Sequence, residues 1–128
     1  MRRIVLVIED NEQNLYLTTF ILENSGYEVV HAKDGPSGIA MADQVRPTLI
    51  LLDIQLPGMN GYDVARNLRN NPALAQTPIV AVTSYAMVGD RERAIDAGCS
   101  GYIEKPINPE TFVADVERHL KGPMGEGV

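Results

Sequence analysis

The sequence predicts one α/β domain, a five-stranded parallel sheet of order 2-1-3-4-5 wound on both faces by five helices. Three observations carry this. Short continuous apolar runs, above all at residues 3–8, 48–53 and 78–83, read as strands buried on both faces, the habit of parallel sheets. Segments of helical spacing alternate with them, which implies right-handed βαβ units. The chain has 128 residues and no internal repeat, so it fits one core, and of the two common doubly wound orders the five-strand 2-1-3-4-5 arrangement suits it.

The elements follow in order. Residues 3–8 form a first strand that Glu9-Asp10-Asn11 closes. Leu15, Thr18, Ile21 and Leu22 recur at helical spacing over 12–25, with Gly26 placed to stop the helix. A second strand spans 27–31, and 33–36 turn the chain into a weaker helix over 37–45, with Ile39 and Ala42 inward, which Arg46-Pro47 ends. The central strand, 48–53, runs into Asp53 and then into the turn-forming stretch Pro57-Gly58-Met59-Asn60-Gly61. A helix over 62–69 turns Val64, Ala65 and Leu68 inward. The fourth strand, 78–83, ends on Thr83. The next helix, about 86–97, is the weakest, because Gly89 inside it costs about 1 kcal/mol relative to Ala. Gly98 ends it, 100–104 is the fifth strand, and Lys105-Pro106 follows. Asn108-Pro109-Glu110 starts the last helix with an N-cap, a first-turn proline and an acid, and Phe112, Val116 and Leu120 are its inward stripe. The domain is expected to cover 1–121, with 122–128 a flexible tail.

Composition narrows the function. With 45% hydrophobic and 22% charged residues the chain is that of an ordinary globular protein, and its net charge of −6 disfavours nucleic acid as a partner. No run approaches the ~20 apolar residues of a membrane span, and Glu9-Asp10 ends the N-terminal apolar run far short of a signal peptide. The single Cys99 has no internal disulfide partner, and no Cys/His set has zinc spacing. These features point to the cytoplasm and exclude a membrane partner.

The polar residues gather where a parallel sheet binds ligands, at the carboxyl ends of its strands. In the expected order the first and third strands are neighbours about 4.8 Å apart, so Glu9, Asp10 and Asp53 converge. Three such acids raise one another's pKa values or hold a cation, and an all-oxygen set with room for water suits Mg²⁺. Thr83 and Lys105 bring a hydroxyl and an ammonium to the same edge. A carboxylate can attack phosphorus to give an aspartyl-phosphate, and Mg²⁺, lysine and a hydroxyl neutralise the oxygens of a phosphoryl group in transfer. Taken singly, each residue has a plainer role: a strand-end carboxylate as a turn or cap former, Lys105 as a solvated surface group, Tyr102 as a core aromatic. His31 and His119 have no supporting context for phosphohistidine chemistry.

Four segments in order, Ile8-Glu9-Asp10-Asn11, Leu51 through Gly61, Val82-Thr83-Ser84-Tyr85-Ala86 and Gly101-Tyr102-Ile103-Glu104-Lys105-Pro106, make the chain resemble a response-regulator receiver domain of two-component signalling. The likeness runs from about Arg3 to Lys121. It implies a flavodoxin-like, CheY-like fold with Asp53 as phosphoacceptor. It further implies Mg²⁺, or Mn²⁺ in its place, on Asp10, Asp53 and the backbone carbonyl of Gln55, with Glu9 acting through water. Thr83 and Lys105 would bind phosphoryl oxygens, Thr83 and Tyr102 would form a switch, and the Lys105-Pro106 bond would be cis. The side chains of Gln55 and Tyr85 would flank the path of the hydrolytic water. The wording of 86–93 and of Gly98-Cys99 is similar to receivers of hybrid kinases and of the single-domain DivK type.

The implied partners are a histidine kinase or histidine phosphotransfer protein and a downstream protein target. The target would meet the face of helix 4, strand 5 and helix 5, which includes 86–97, Tyr102 and 112–120. A monomer or weak homodimer is expected, and no enzymatic turnover beyond the protein's own phosphorylation and dephosphorylation. The alternative is a small haloacid-dehalogenase-like phosphohydrolase, but Gln55 stands where that mechanism carries a second Asp. A flavin or nucleotide binder would need phosphate-cradling residues where this chain has Glu9-Asp10-Asn11-Glu12.

Overall fold

The computed structural model describes residues 3–84 and 88–125, with side chains as far as Leu120. Five strands, β1 (Ile4–Ile8), β2 (Glu28–Ala32), β3 (Leu49–Asp53), β4 (Ile79–Thr83) and β5 (Gly101–Glu104), pair in parallel in the order β2-β1-β3-β4-β5. Each lies within one residue of the expected run. Helices α1 (Glu12–Asn24), α2 (Gly35–Val45), α3 (Gly61–Asn70), α4 (Asp90–Asp96) and α5 (Pro109–Gly125) separate or follow them. Among the described residues no helix is long and apolar enough to cross a membrane.

Period-two alternation sends the sheet's side chains to two cores. Leu6, Ile8, Ile50, Leu52, Ile79 and Ala81 pack beneath α2, α3 and α4. Val5, Val7, Leu49, Leu51, Val80 and Val82 pack beneath α1 and α5, where Leu15, Ile21, Leu22, Phe112 and Val116 meet them. The helical faces read from spacing are the buried ones: Leu15, Thr18, Ile21 and Leu22 in α1, and Val64, Ala65 and Leu68 in α3.

Local signals set the helix ends. Asn11 caps α1 by accepting from Asn14 N at 2.9 Å, and Gly26 leaves that helix at φ +96°. Asp34 accepts from Ser37 N at 2.8 Å, so α2 begins at Gly35 with proline in its first turn, two residues ahead of the expected start. One expectation fails. Gly89 is not inside α4: at φ +91° it stands just before the helix, which begins at Asp90. The backbone freedom that makes glycine costly in a helix lets it take the left-handed conformation at this entry; Tyr85, Ala86 and Met87 lie outside the described residues. At the C-terminus α5 runs to Gly125.

A short 3-10 turn, Pro72–Leu74, was not foreseen. Arg69 holds it: its guanidinium donates to Leu74 O and Thr77 O at 2.9 and 2.8 Å, and to Gly98 O at 2.6 Å. One side chain thus ties the α3–β4 and α4–β5 connections together. On the far side of β5, the His119 imidazole packs directly on Gly101, where a Cβ would collide with it.

Replacing Arg69 with Met should leave half-buried carbonyls without a donor and cost roughly 2–3 kcal/mol, read as a lower urea midpoint at unchanged slope. Arg66→Met, which loses only an exposed i,i+3 ion pair, should cost less than about 0.5 kcal/mol. Burial, with Arg118 and Arg91 nearby and Asp115 opposing them, holds the His119 imidazole below its usual range. The unfolded chain therefore binds that proton more tightly. Stability from this group is present above about pH 6.5 and lost as pH falls toward the folded value, and His119→Gln should flatten the melting temperature across that window.

Candidate functional site

Sheet register builds the site as a staircase. Ile8 pairs with Leu52 and Asp53 with Val82, while Thr83 pairs with Glu104. Glu9, Asp53, Thr83 and Lys105 therefore leave four adjacent strands one step apart, at one edge. Lys105 N donates to Thr83 O at 2.8 Å and Ile54 N to Val82 O at 3.1 Å, so the pairing continues into the loops. The Lys105-Pro106 bond is cis, as the resemblance implies.

Glu9, Asp10 and Asp53 each offer a carboxylate oxygen within 4.8 Å of the other two. Glu9 is 5% and Asp53 4% exposed, whereas Asp10 faces solvent. Lys105 Nζ enters this acidic pocket at 2.9 Å from Glu9 Oε1 and 3.5 Å from Asp53 Oδ2, with its side chain only 10% exposed. A cation already stands among the acids, and it belongs to the chain.

The oxygens of the two buried carboxylates are engaged. Asn11 N donates to Glu9 Oε2 at 3.2 Å, so both Glu9 oxygens are engaged. Gln55 N donates to Asp53 Oδ1 at 3.0 Å, which leaves Oδ2 facing the ammonium of Lys105. Burial pushes the Glu9 carboxyl above its ordinary range, with the Lys105 bond opposing and neighbouring Asp53 adding to the shift. Exposed Asp10 gives the cluster its open side. Carboxylates with a solvent approach form an all-oxygen donor set that fits a small divalent cation.

The β3–α3 loop is tied down by Gly61. Its N–H donates to Ile54 O at 3.1 Å, and a Cβ there would lie 2.5 Å from Ile54 Cα, so only glycine lets α3 start against the end of β3. On the other side of the site, Gln55 Oε1 accepts from Ser84 N at 3.4 Å and joins the β3 and β4 loops. Sequence reasoning did not find this link or the Glu9–Lys105 pair, since neither has a local signature.

Thr83 is 2% exposed and lines a cavity with Gln55, Asn60, Tyr62, Asp90 and Arg93. Tyr102 stands apart from the acids, on β5 opposite Ala81. Its hydroxyl is buried and has no hydrogen-bond partner among the described residues, and Arg91 lies 5.4 Å over its ring. Cys99 is a buried free thiol whose pKa burial pushes up to about 11, which makes it inert.

The chain's relatives carry the same reading. A family model described as the response regulator receiver domain matches residues 5–117. The polar-differentiation response regulator DivK of Brucella anthropi is 40% identical over 120 residues, covering 94% of this chain and 98% of that protein. Chemotaxis protein CheY4 of Vibrio cholerae superposes with a TM-score of 0.89 at 28% identity, covering 93% of this chain and 99% of its own. The receiver domain of sensor histidine kinase PA1611 from Pseudomonas aeruginosa, at TM-score 0.87 and 30% identity over 95% of this chain and 100% of its own, has a magnesium ion coordinated in its active-site cleft. Nothing among these supports the phosphohydrolase alternative. With sheet order, strand-end acids and relatives in agreement, the chain belongs to the response regulator receiver domain family of two-component signalling.

Proposed function

We propose that the protein works as a single-domain response regulator in the manner of DivK. It accepts a phosphoryl group on Asp53 from the phosphohistidine of a histidine kinase or histidine phosphotransfer protein, and thereby changes its binding to a target. The observation that carries this is the buried Lys105 ammonium set between Glu9 and Asp53, with Asp10 open to solvent beside them. Such a site offers a nucleophile and opposite charge for the incoming phosphoryl oxygens.

Asp10, Asp53 and the backbone carbonyl of Gln55, with Glu9 through water, would hold Mg²⁺ or Mn²⁺, which supplies charge neutralisation for the carboxylates and the phosphoryl oxygens. The engagement of both Glu9 oxygens supports its indirect role. In the transfer, an Asp53 oxygen forms a bond to phosphorus, the phosphorus–nitrogen bond to the donor imidazole breaks, and the leaving ring takes up a proton. With Oδ1 held by Gln55 N, Oδ2 is the attacking atom. Lys105 then turns toward the new phosphoryl oxygens, and the Thr83 hydroxyl contributes from the next strand.

Thr83 and Tyr102 act as the switch. Movement of Thr83 toward the phosphoryl group favours the inward position of Tyr102, and the face of α4, β5 and α5 presents the change to a protein target. A ligand-like group shifts such an equilibrium only through contacts that differ between the two states. The protein is a signalling module that catalyses its own phosphorylation and dephosphorylation, placed in the cytoplasm with its kinase, as a monomer or weak homodimer, and its domain ends near Lys121.

Incubation with acetyl phosphate and Mg²⁺ should add one phosphoryl mass to the intact protein, labile in base, and neither Asp53→Ala nor Asp10→Ala should gain it. A gain that persists in Asp53→Ala contradicts the assignment. Mg²⁺ alone should raise the melting temperature, by the equivalent of about 2.7 kcal/mol at one hundred times its Kd, and Asp10→Ala should abolish the rise. Lys105→Ala should keep the Mg²⁺ response and lose phosphorylation-dependent target binding; an unchanged target response would remove Lys105 from the mechanism.

A further inference from the structure

Thr18 is the one polar residue in the inward stripe of α1, and it is only 4% exposed. A threonine inside a helix often satisfies its hydroxyl on the carbonyl four residues before it. Among the described residues the Thr18 hydroxyl makes neither that bond nor any other. It is not sealed either, because the Tyr102 hydroxyl is the only side-chain polar atom both sealed and unpartnered among those residues. The Thr18 oxygen therefore keeps open surface. What Thr18 lines is a small cavity on the core side of the acidic site, with Glu9 and Asp53 as two of its walls and Val82, Ile107 and Phe112 as others.

We infer that this cavity is a binding site for one water molecule, which joins Thr18 to both buried carboxylates. The space open to the centre of a water-sized sphere is about 10 Å³, and a single water needs roughly 10–15 Å³ by that measure. There is room for one and not for two. The donor and acceptor roles also match. Carboxylates only accept, whereas a threonine hydroxyl donates. A water can give one hydrogen to Glu9 and the other to Asp53 while accepting the Thr18 proton, which supplies the three partners usual for a buried water. The bonds these carboxylates already receive from Asn11 N, Lys105 Nζ and Gln55 N leave this open, since each carboxylate oxygen accepts more than one donor. Three oxygens among apolar walls do not complete the shell of a divalent cation, and the two acids repel an anion. The water offsets part of the repulsion between Glu9 and Asp53 from the core side, as Lys105 does from its own. Thr18 thus acts on Asp53 as a positioning residue through the water. The inference needs only the buried carboxylates, so it stands or falls separately from the phosphoacceptor reading.

A high-resolution crystal structure of the unphosphorylated protein should show one water within hydrogen-bond distance of Thr18 Oγ1 and of a carboxylate oxygen on each of Glu9 and Asp53. A dry cavity overturns the inference. Two variants test the hydroxyl in solution. Thr18→Val keeps the shape and nearly the helix propensity but has no hydroxyl, and Thr18→Ser keeps the hydroxyl. Magnetic relaxation dispersion of the water oxygen nucleus, which counts long-lived buried waters, should find one fewer in Thr18→Val, while Thr18→Ser should retain it. An equal count in Thr18→Val, or the same loss in both variants, contradicts the role given to Thr18. Urea unfolding adds a sign that packing alone does not produce. In a dry cavity Thr18→Val exchanges an unpartnered hydroxyl for a methyl group and leaves stability unchanged or raises it. With the water in place the same change removes a donor from a buried polar network and should raise the unfolding constant roughly 5–100-fold. Unchanged or higher stability of Thr18→Val therefore also overturns the inference.

Discussion

Two buried carboxylates and one exposed one crowd the carboxyl edge of the sheet, and a single buried ammonium group holds them there. At separations under 5 Å, Glu9 and Asp53 repel by ~3 kcal/mol even at an effective dielectric near 20. Lys105 offsets this by lying between them, 2.9 Å from one and 3.5 Å from the other. Its unequal distances matter. The shorter contact is to Glu9, so the chain's own cation does not close off Asp53, whose Oδ2 remains the less tightly engaged oxygen. A site that keeps repelling charges together at rest is one that gains from an added cation and from transfer of charge onto a bound phosphoryl group.

The rest of the fold serves that arrangement. Parallel pairing in the order β2-β1-β3-β4-β5 makes β1, β3, β4 and β5 successive neighbours, so Asp53 and Thr83 at the last residues of β3 and β4 meet Glu9 and Lys105 just past β1 and β5. An order that broke the β1-β3-β4-β5 succession would scatter Glu9, Asp53, Thr83 and Lys105. The apolar strands are buried on both faces, which fixes their register, since a slip by one residue would turn an entire strand inside out. Rigid placement comes from the core, and the residues just past β3 and β4 meet through Gln55 and Ser84.

Much of this was legible in the residues. Strand runs such as 48–53 announce themselves by continuous apolarity, and α1 and α3 by the spacing of Leu15 to Leu22 and of Val64 to Leu68. The meeting of the acids followed from strand order. What escaped depends on contacts distant in sequence or on backbone conformation. Arg69 is an unremarkable helix arginine until the fold brings carbonyls from two connections to its guanidinium. Gly89 looked like a flaw inside a helix because propensity does not reveal which side of a boundary a glycine occupies. Lys105 and Glu9 are 96 positions apart, and nothing local pairs them. The buried hydroxyl of Tyr102 also follows from tertiary packing and not from pattern.

The central claim is that this crowded edge exists to make Asp53 a phosphoacceptor. The most direct test is to treat the acetyl phosphate-labelled protein with borohydride, which reduces an aspartyl-phosphate to homoserine, and to locate the altered residue by peptide mass spectrometry. The account predicts homoserine at position 53, formed only when Mg²⁺ is present. Reduction at Glu9, Asp10 or any other carboxylate while Asp53 stays intact would contradict it.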